Sequence, residues 1–349
     1  MKLAKFVYDL PPNLIAQFPT KEREDARLLV VDRKTGAMED RLFRDIVDYF
    51  DDKDVFVVNN TKVFPSRLYG KKEKTGAKIE VFLLRELNKS GFLWDVIVDP
   101  ARKIRVGNKL YFDDYEYLVA EVIDNTTSRG RTIKFLWNKS YEEFRSLLDE
   151  IGQMPIPKYI KRTQTTEDVE RYQTLFAKYE GAVALPASGA NFSKRLIKQC
   201  EIIGIKFAEL TLHPGIATFK PLEVEDITKH KMDAEYVHIS QETCDIINKA
   251  KEKGKRVCSI GTTTMRALES SYTAEKFVKP IEGWTNKFIY PKYDFNIADS
   301  MITNFNYPKT TTYILTTAFI GYELCLEVYQ KAIKDKYRFL CYGDSMLIL

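Results

Sequence analysis

The stretch Ile260-Gly261-Thr262-Thr263-Thr264-Met265-Arg266-Ala267-Leu268-Glu269-Ser270 follows directly on the apolar run Arg256 to Ile260. An apolar run, a glycine turn and an amphipathic segment in that order read as strand, turn and helix. Gly261 lets the backbone turn sharply, and the threonine hydroxyls with the free N–H groups of the first helical turn can hold a carboxylate or a phosphate. Ordinary N-capping by Thr262 or Thr263 uses the same residues, so the surroundings decide between the two readings.

Outward from this stretch the same unit recurs. Ser193 can cap a helix whose apolar residues Leu196, Ile197, Cys200 and Ile203 share one face; Gly204 ends it, and a strand, Ile205 to Leu212, follows. Ser240 opens a second helix through Ile246, Ile247 and Ala250, closed by Gly254 before the strand that leads to Gly261. Nearer the N-terminus, Leu28 to Val31 and Val55 to Val58 read as strands, with Phe43 to Phe50 a helix between them. Helices followed at once by strands imply a mainly parallel sheet with crossover helices, whose ligands sit at the carboxyl ends of the strands.

Between these halves the period changes. Short β-rich runs recur at Ile79 to Leu84, Phe92 to Val98, Lys109 to Phe112, Tyr117 to Ile123 and Thr132 to Trp137, separated by Asn, Asp, Gly and Ser. Such spacing predicts a compact all-β barrel or sandwich. The fold class is therefore α/β: a discontinuous α/β domain, residues 1–66 and 151–349, interrupted by an inserted all-β barrel domain, residues 67–150. The longest polar stretch, Lys161 to Glu170, reads as a mobile loop.

With 349 residues, 44% of them hydrophobic, the chain can bury a large core in about two domains. No apolar run approaches the roughly eighteen residues of a membrane span. Asp9, Pro11 and Pro12 interrupt the place where a secretory segment would be continuous, which points to the cytoplasm. Cys200, Cys244, Cys258, Cys325 and Cys341 form no C-x-x-C pair and sit mostly in apolar runs, as buried free thiols do. His213, His230 and His238 are scattered, with no carboxylate or cysteine at ligand spacing, so no metal is expected. A net charge of +5 permits nucleic-acid binding without requiring it. The basic groups Lys71-Lys72 with Lys74 and Lys78, Arg102-Lys103 with Arg105, Lys158 with Lys161-Arg162, and Lys229-His230-Lys231 are either solvated surface or phosphate contacts.

Four polar loops should meet at the sheet's carboxyl edge: Asn59-Asn60-Thr61-Lys62, Pro186 to Phe192, His213-Pro214-Gly215 and Gly261 to Thr264. A nucleoside-like ligand needs amides and hydroxyls for ring edges and ribose, a positive turn for an anionic group, and aromatic faces for stacking. Asn59, Ser188, Asn191, Phe192 and Thr262 are of those types. Each also has an ordinary role, Asn and Ser in loop turns and Phe192 in a core. His213, beside Pro-Gly at a strand end, can serve as a general base or be a loop residue tied to backbone.

Across nearly its whole length the chain resembles the S-adenosylmethionine:tRNA ribosyltransferase-isomerase family of queuosine biosynthesis. The resemblance runs through Tyr8-Asp9-Leu10-Pro11, Leu14-Ile15-Ala16-Gln17, Asn59 to Arg67, Met154 to Ile160, Arg171-Tyr172-Gln173-Thr174, Gly181-Ala182-Val183-Ala184, Thr211-Leu212-His213, Gly261 to Ser270, Gly283-Trp284-Thr285, Phe288-Ile289-Tyr290-Pro291, Ile302-Thr303-Asn304-Phe305 and Tyr342 to Leu349. It implies a discontinuous α/β domain with an inserted β-barrel. The implied reaction gives the ribosyl group of S-adenosylmethionine, the co-substrate, to the aminomethyl group of a deazaguanine at the tRNA wobble position, releasing adenine and methionine. That chemistry needs a base for a 5′ proton beside the sulfonium, a site that shields an ylide-like species from water, and donors for the departing adenine.

Under this resemblance His213, Glu269 and Asp344 are the candidate bases. Asn59, Thr61, Arg67, Ser188, Gly189, Asn191, Phe192, Gly261, Thr262, Thr263, Arg266, Tyr290, Asn304 and Asn306 are the candidate substrate-binding residues. Lys158, Lys161, Arg162 and Lys309 are the candidate tRNA contacts, and the expected state is a monomer. The sequence also departs from the family pattern. Gly189-Ala190-Asn191-Phe192 stands where Gly-Leu-His-Phe is usual, and Asn304-Phe305-Asn306-Tyr307-Pro308 where Asn-Phe-His-Leu-Pro is usual. Asparagine hydrogen-bonds like a neutral histidine but takes no proton near pH 7. Two readings follow: an active ribosyltransferase-isomerase, or a divergent paralogue that binds tRNA or an adenosyl ligand with a changed acceptor or no catalysis.

Overall fold

The computed structural model describes residues 1–112, 118–216 and 220–349. The chain forms two compact units, Met1–Lys62 with Pro157–Leu349, and Val63–Ile156. In chain order the strands are β1 (Arg27–Val31), β2 (Met38–Leu42), β3 (Val55–Asn59), β4 (Thr61–Val63), β5 (Arg67–Lys72), β6 (Lys78–Asn88), β7 (Leu93–Asp99), β8 (Lys109–Tyr111), β9 (Val119–Asn125), β10 (Gly130–Phe135), β11 (Tyr179–Ala182), β12 (Lys206–Leu212), β13 (Glu235–Ile239), β14 (Val257–Ile260), β15 (Ile281–Thr285), β16 (Ser300–Asn304) and β17 (Ser345–Ile348). The helices are α1 (Tyr141–Ile151), α2 (Thr166–Arg171), α3 (Lys194–Ile203), α4 (Gln241–Glu252), α5 (Thr262–Glu269), α6 (Thr311–Ile320) and α7 (Tyr322–Lys334).

The smaller unit is a closed antiparallel barrel in the order β10-β7-β6-β5-β8-β9. Its strands alternate: in β7, Trp94, Val96 and Val98 are buried while their neighbours are half-exposed, the period-two pattern of a sheet with one face in a core. Strand β5 carries no such apolar run and was not expected. Its Gly70 is required, because a Cβ there would sit 2.2 Å from the Tyr111 carbonyl oxygen on β8. Tyr117, the expected start of β9, lies outside the described residues. Ser140 and Glu143 cap α1 reciprocally, each side chain accepting the other's amide at 3.1 and 3.0 Å.

The larger unit is built on a nine-stranded sheet in the order β15-β13-β12-β3-β14-β16-β17-β1-β2. The expected helix and strand sequence is present, with Ser193 and Ser240 accepting from the Leu196 and Thr243 amides at 2.9 and 3.2 Å and Gly204 closing α3 at φ +98°. The sheet is mixed rather than mainly parallel. β12, β3, β14 and β16 are parallel, as are β17 and β1, but β13, β15 and β2 join antiparallel neighbours and β17 is antiparallel to β16. β13 pairs antiparallel with β12, a pairing that needs no crossover helix. Phe43–Tyr49 is a 3₁₀ helix, not an α-helix. Ile203, expected inside, is 38% exposed beside the terminating glycine. Lys161 to Glu170 is not a bare loop either, since it enters α2 around the buried Asp168.

Helices cover both faces of this sheet, which explains why its central strands are continuously apolar. Along β3, Val55 and Val57 join the core with α4 to α7, whereas Phe56 and Val58 join Phe43, Phe50, Phe192, Leu196 and Cys200 on the other side. All five cysteines are buried and free. Among the described residues no helix is long and apolar enough to cross a membrane.

Candidate functional site

The parallel strands β3, β12, β14 and β16 end at Asn59, Leu212, Ile260 and Asn304, and the polar loops leave from those ends. There a cleft opens, lined by Ser188, Gly261, Thr262, Thr263, Thr303, Asn304, Asn306 and Thr312 with the rings of Tyr159 and Tyr307. Among the described lining residues none carries a formal charge.

Gly261 shapes this cleft. Its φ is +100°, and a Cβ would approach Ser188 Oγ to 3.4 Å, so a side chain there would be both strained and crowded. The turn is fixed by its amide donating to Ile302 O at 2.8 Å and its carbonyl accepting from Met265 N at 3.1 Å and Ser259 Oγ at 3.0 Å. Thr262 and Thr263, in the first turn of α5, line the cleft. Thr312, in the first turn of α6, lines the same cleft, so two helix N-termini with their partial positive charge border one space.

A chain of contacts leads outward from the threonine turn. Asn59 Nδ2 donates to Leu212 O at 2.8 Å and reaches Thr263 Oγ1 at 3.5 Å, while its Oδ1 accepts from the Thr61 and Leu212 amides, both at 3.1 Å. Thr61 Oγ1 then bonds His213 Nδ1 at 2.7 Å. The imidazole stacks on Tyr236, centroids 5.5 Å apart, and packs against Gly181, where a Cβ would lie 2.6 Å from the ring. Burial pulls the His213 pKa down to about 4, so the ring is neutral at pH 7.

On the other wall Ser188 Oγ donates to Asn304 Oδ1 at 3.2 Å, and Asn304 Nδ2 is spent on the Gly343 and Asp344 carbonyls at 3.4 and 3.3 Å. Asn306 directs Nδ2 inward to Asn304 O at 3.0 Å, Thr316 Oγ1 at 3.2 Å and Thr303 Oγ1 at 3.3 Å. Its amide donates to Tyr329 Oη at 3.0 Å and its carbonyl accepts from Tyr8 Oη. Thr303, Tyr159, Tyr307 and Thr312 were not anticipated. The Thr310-Thr311-Thr312 run ahead of an apolar helix was the signal that could have found Thr312, by the same argument that found Thr262.

Several expected site residues stand elsewhere. Phe192 is fully buried among Phe43, Phe56, Phe176 and Phe207, so its ring is core and not a stacking face. Asn191 is buried and donates to Ser345 Oγ at 2.9 Å; Gly189 packs on Thr174. Tyr290 packs on Phe288. Arg67 belongs to the barrel unit, where it pairs with Glu80 at 2.7 Å and donates to Ile156 O at 3.2 Å. Arg266 forms a buried ion pair with Glu235 at 2.6 Å and donates to Lys287 O at 3.1 Å.

The two carboxylate candidates accept from the protein's own donors. Glu269 sits at the far end of α5, about 10 Å from the threonine turn at 1.5 Å per residue. It accepts from Tyr293 Oη, Asn296 N, Asn296 Nδ2 and Ile297 N at 2.9 to 3.1 Å, which fills its acceptor positions. Asp344 accepts from the Arg27 and Arg338 amides at 2.9 and 2.7 Å, and burial raises its pKa.

Of the expected tRNA contacts, Lys158, Lys161 and Lys309 are exposed. Arg162 is not available. Its guanidinium grips Asp168 with two bonds of 2.6 and 2.7 Å and covers Phe18. Burial would raise the Asp168 pKa, but the bonds from Arg162, Thr165 and Tyr342 outweigh it and bring the value down to about 2.

A mixed α/β unit with an uncharged cleft at its strand ends, interrupted in sequence by a closed β-barrel, places the chain among two-unit α/β proteins with a polar site at the strand ends. Residues 3–348 match the family model described as queuosine biosynthesis protein, and the chain belongs to that family. The S-adenosylmethionine:tRNA ribosyltransferase-isomerase of Flavobacterium psychrophilum is 60% identical over 349 residues, covering 100% of both chains. The protein of the same name from Cytophaga hutchinsonii is 56% identical over the same coverage. The crystal structure of S-adenosylmethionine tRNA ribosyltransferase from Thermotoga maritima is similar at a TM-score of 0.54 and 31% identity, covering 99% of this chain and 100% of that one.

Proposed function

We propose that this chain transfers and isomerises the ribosyl group of S-adenosylmethionine onto 7-aminomethyl-7-deazaguanine at the tRNA wobble position, giving epoxyqueuosine and releasing adenine and methionine. The observation that carries this reading is the uncharged cleft bordered by the N-termini of α5 and α6. The methionine carboxylate sits against the Thr262 and Thr263 end of α5, where free amides and hydroxyls can take it. Tyr159 and Tyr307 offer ring faces to adenine and to the sulfonium, and Ser188 and Asn306 offer polar edges to the ribose. His213, neutral and bonded through Thr61 and Asn59 towards Thr263, is the proton acceptor.

The enzyme works as a cytoplasmic monomer, with Lys158, Lys161 and Lys309 meeting tRNA phosphates. The asparagines at 191 and 306 do not favour the paralogue reading. Asn191 bonds inward to Ser345, and Asn306 spends its donors on the protein's own frame. Adenine release measured with and without precursor-bearing tRNA tests the proposal. Release that depends on that tRNA supports it; no release with either excludes it.

A further inference from the structure

Across the edge of the large sheet three rings stand in register on neighbouring strands. The His213 amide donates to Tyr236 O on β13 at 3.0 Å, and Tyr236 pairs with Trp284 on β15, the edge strand. The rings follow the backbone. His213 stacks on Tyr236 at 5.5 Å and 21°, and Tyr236 meets Trp284 edge-on at 5.9 Å and 75°. Val237 and Ile239, between and beyond them on β13, point into the core, so this ladder is on the opposite face. Exposure rises outward along it: His213 and Tyr236 are partly buried, and Trp284 is 54% exposed. Tyr236 is further held by its hydroxyl donating to Glu282 Oε1 at 3.2 Å.

We infer that Trp284, braced edge-on by Tyr236, is a stacking platform for an unpaired nucleobase of the tRNA anticodon loop. The platform is continuous with the candidate site, because its inner rung, His213, is bonded to Thr61 in the chain of contacts that ends at Thr263. Bases of a single-stranded loop expose their faces, and aromatic rings on a sheet receive them without reading their edges. A duplex keeps its bases stacked on one another and gains nothing here. This inference rests on the tRNA reading above.

The test is the affinity of a labelled anticodon stem–loop oligonucleotide for the full-length protein and for Trp284→Phe and Trp284→Ala, alongside S-adenosylmethionine affinity. Removing a base-stacking ring weakens binding by roughly tenfold or more. Trp284→Ala is expected to lose at least that factor for the stem–loop, Trp284→Phe to stay within about threefold of the original protein, and a duplex of equal charge to bind all three alike. S-adenosylmethionine affinity should not change. Stem–loop binding by Trp284→Ala equal to that of the unaltered protein, or a loss that phenylalanine fails to restore, overturns the platform alone. Failure of the unaltered protein to bind the stem–loop or whole tRNA overturns the tRNA reading as well.

Discussion

His213 Nδ1 and Thr61 Oγ1 lie 2.7 Å apart, with the imidazole 5.5 Å above Tyr236 and flush against Gly181. The folded ring binds a proton more weakly than the unfolded chain does, its pKa lowered to about 4 by burial from an ordinary 6.5. Stability from this group is therefore complete above pH 6.5 and is lost as the pH falls from there through 4, at up to about 1.4 kcal/mol per pH unit. Urea unfolding at pH 7 and pH 4.5 should show that loss, and His213→Gln should reduce it. In the pH–rate profile no inflection near 6.5 should belong to this residue. His213→Ala should lower adenine release at least tenfold, about 1.4 kcal/mol of barrier; unchanged release would remove His213 from the mechanism.

Gly261→Ala places a side chain at φ +100° and 3.4 Å from Ser188 Oγ. Strain of about 1–2 kcal/mol falls on the turn that presents the first amides of α5. S-adenosylmethionine affinity should drop roughly tenfold while tRNA affinity holds. Isothermal titration with each ligand separates the two, and parallel loss of both would point to unfolding instead.

Glu269→Gln replaces one accepting oxygen by a donor facing Asn296, Ile297 and Tyr293. The expected cost is about 1–3 kcal/mol of stability from a buried bond left unmade. Thermal melting should show it. Turnover per folded molecule should stay near that of the unaltered protein, whereas a catalytic carboxylate would lose it.

Asn191→His with Asn306→His should not raise adenine release, since Asn191 faces Ser345 and the Asn306 amide faces Asn304, Thr303 and Thr316. A gain of tenfold or more would show that the asparagines had replaced proton carriers. Lys158→Glu with Lys309→Glu should weaken tRNA binding and reduce its salt dependence, as loss of phosphate contacts does. Arg162→Glu should lower the melting temperature instead, because it sets a carboxylate against Asp168.

Much of this arrangement is written locally. Ser193, Gly204, Ser240 and Gly261 punctuate helices wherever the sequence puts them, and the Gly-Thr-Thr-Thr turn borders the cleft because a strand end and a helix start are both encoded within a few residues. What could not be read depends on contacts distant in sequence. Glu269 is claimed by the 293–297 segment, Asp344 by Arg27 and Arg338, and Arg162 by Asp168. No spacing rule separates a carboxylate facing a ligand from one facing backbone amides. The same holds for Phe192, whose neighbours Phe43, Phe56 and Phe207 come from three separate segments. Strand β5 escaped because Leu68 and Tyr69 are its only apolar residues, flanked by Arg67 and by Gly70-Lys71-Lys72.

Ribosyl transfer and methyl transfer leave different parts of S-adenosylmethionine on the tRNA. The most direct measurement incubates the protein and precursor-bearing tRNA with S-adenosylmethionine labelled either in the ribose or in the methyl group, and counts label in the recovered tRNA. Ribose label should enter the tRNA as adenine and methionine appear in equal amounts, with methyl label leaving in the methionine. Methyl label in the tRNA, or label from neither position with the substrates bound, would contradict the account.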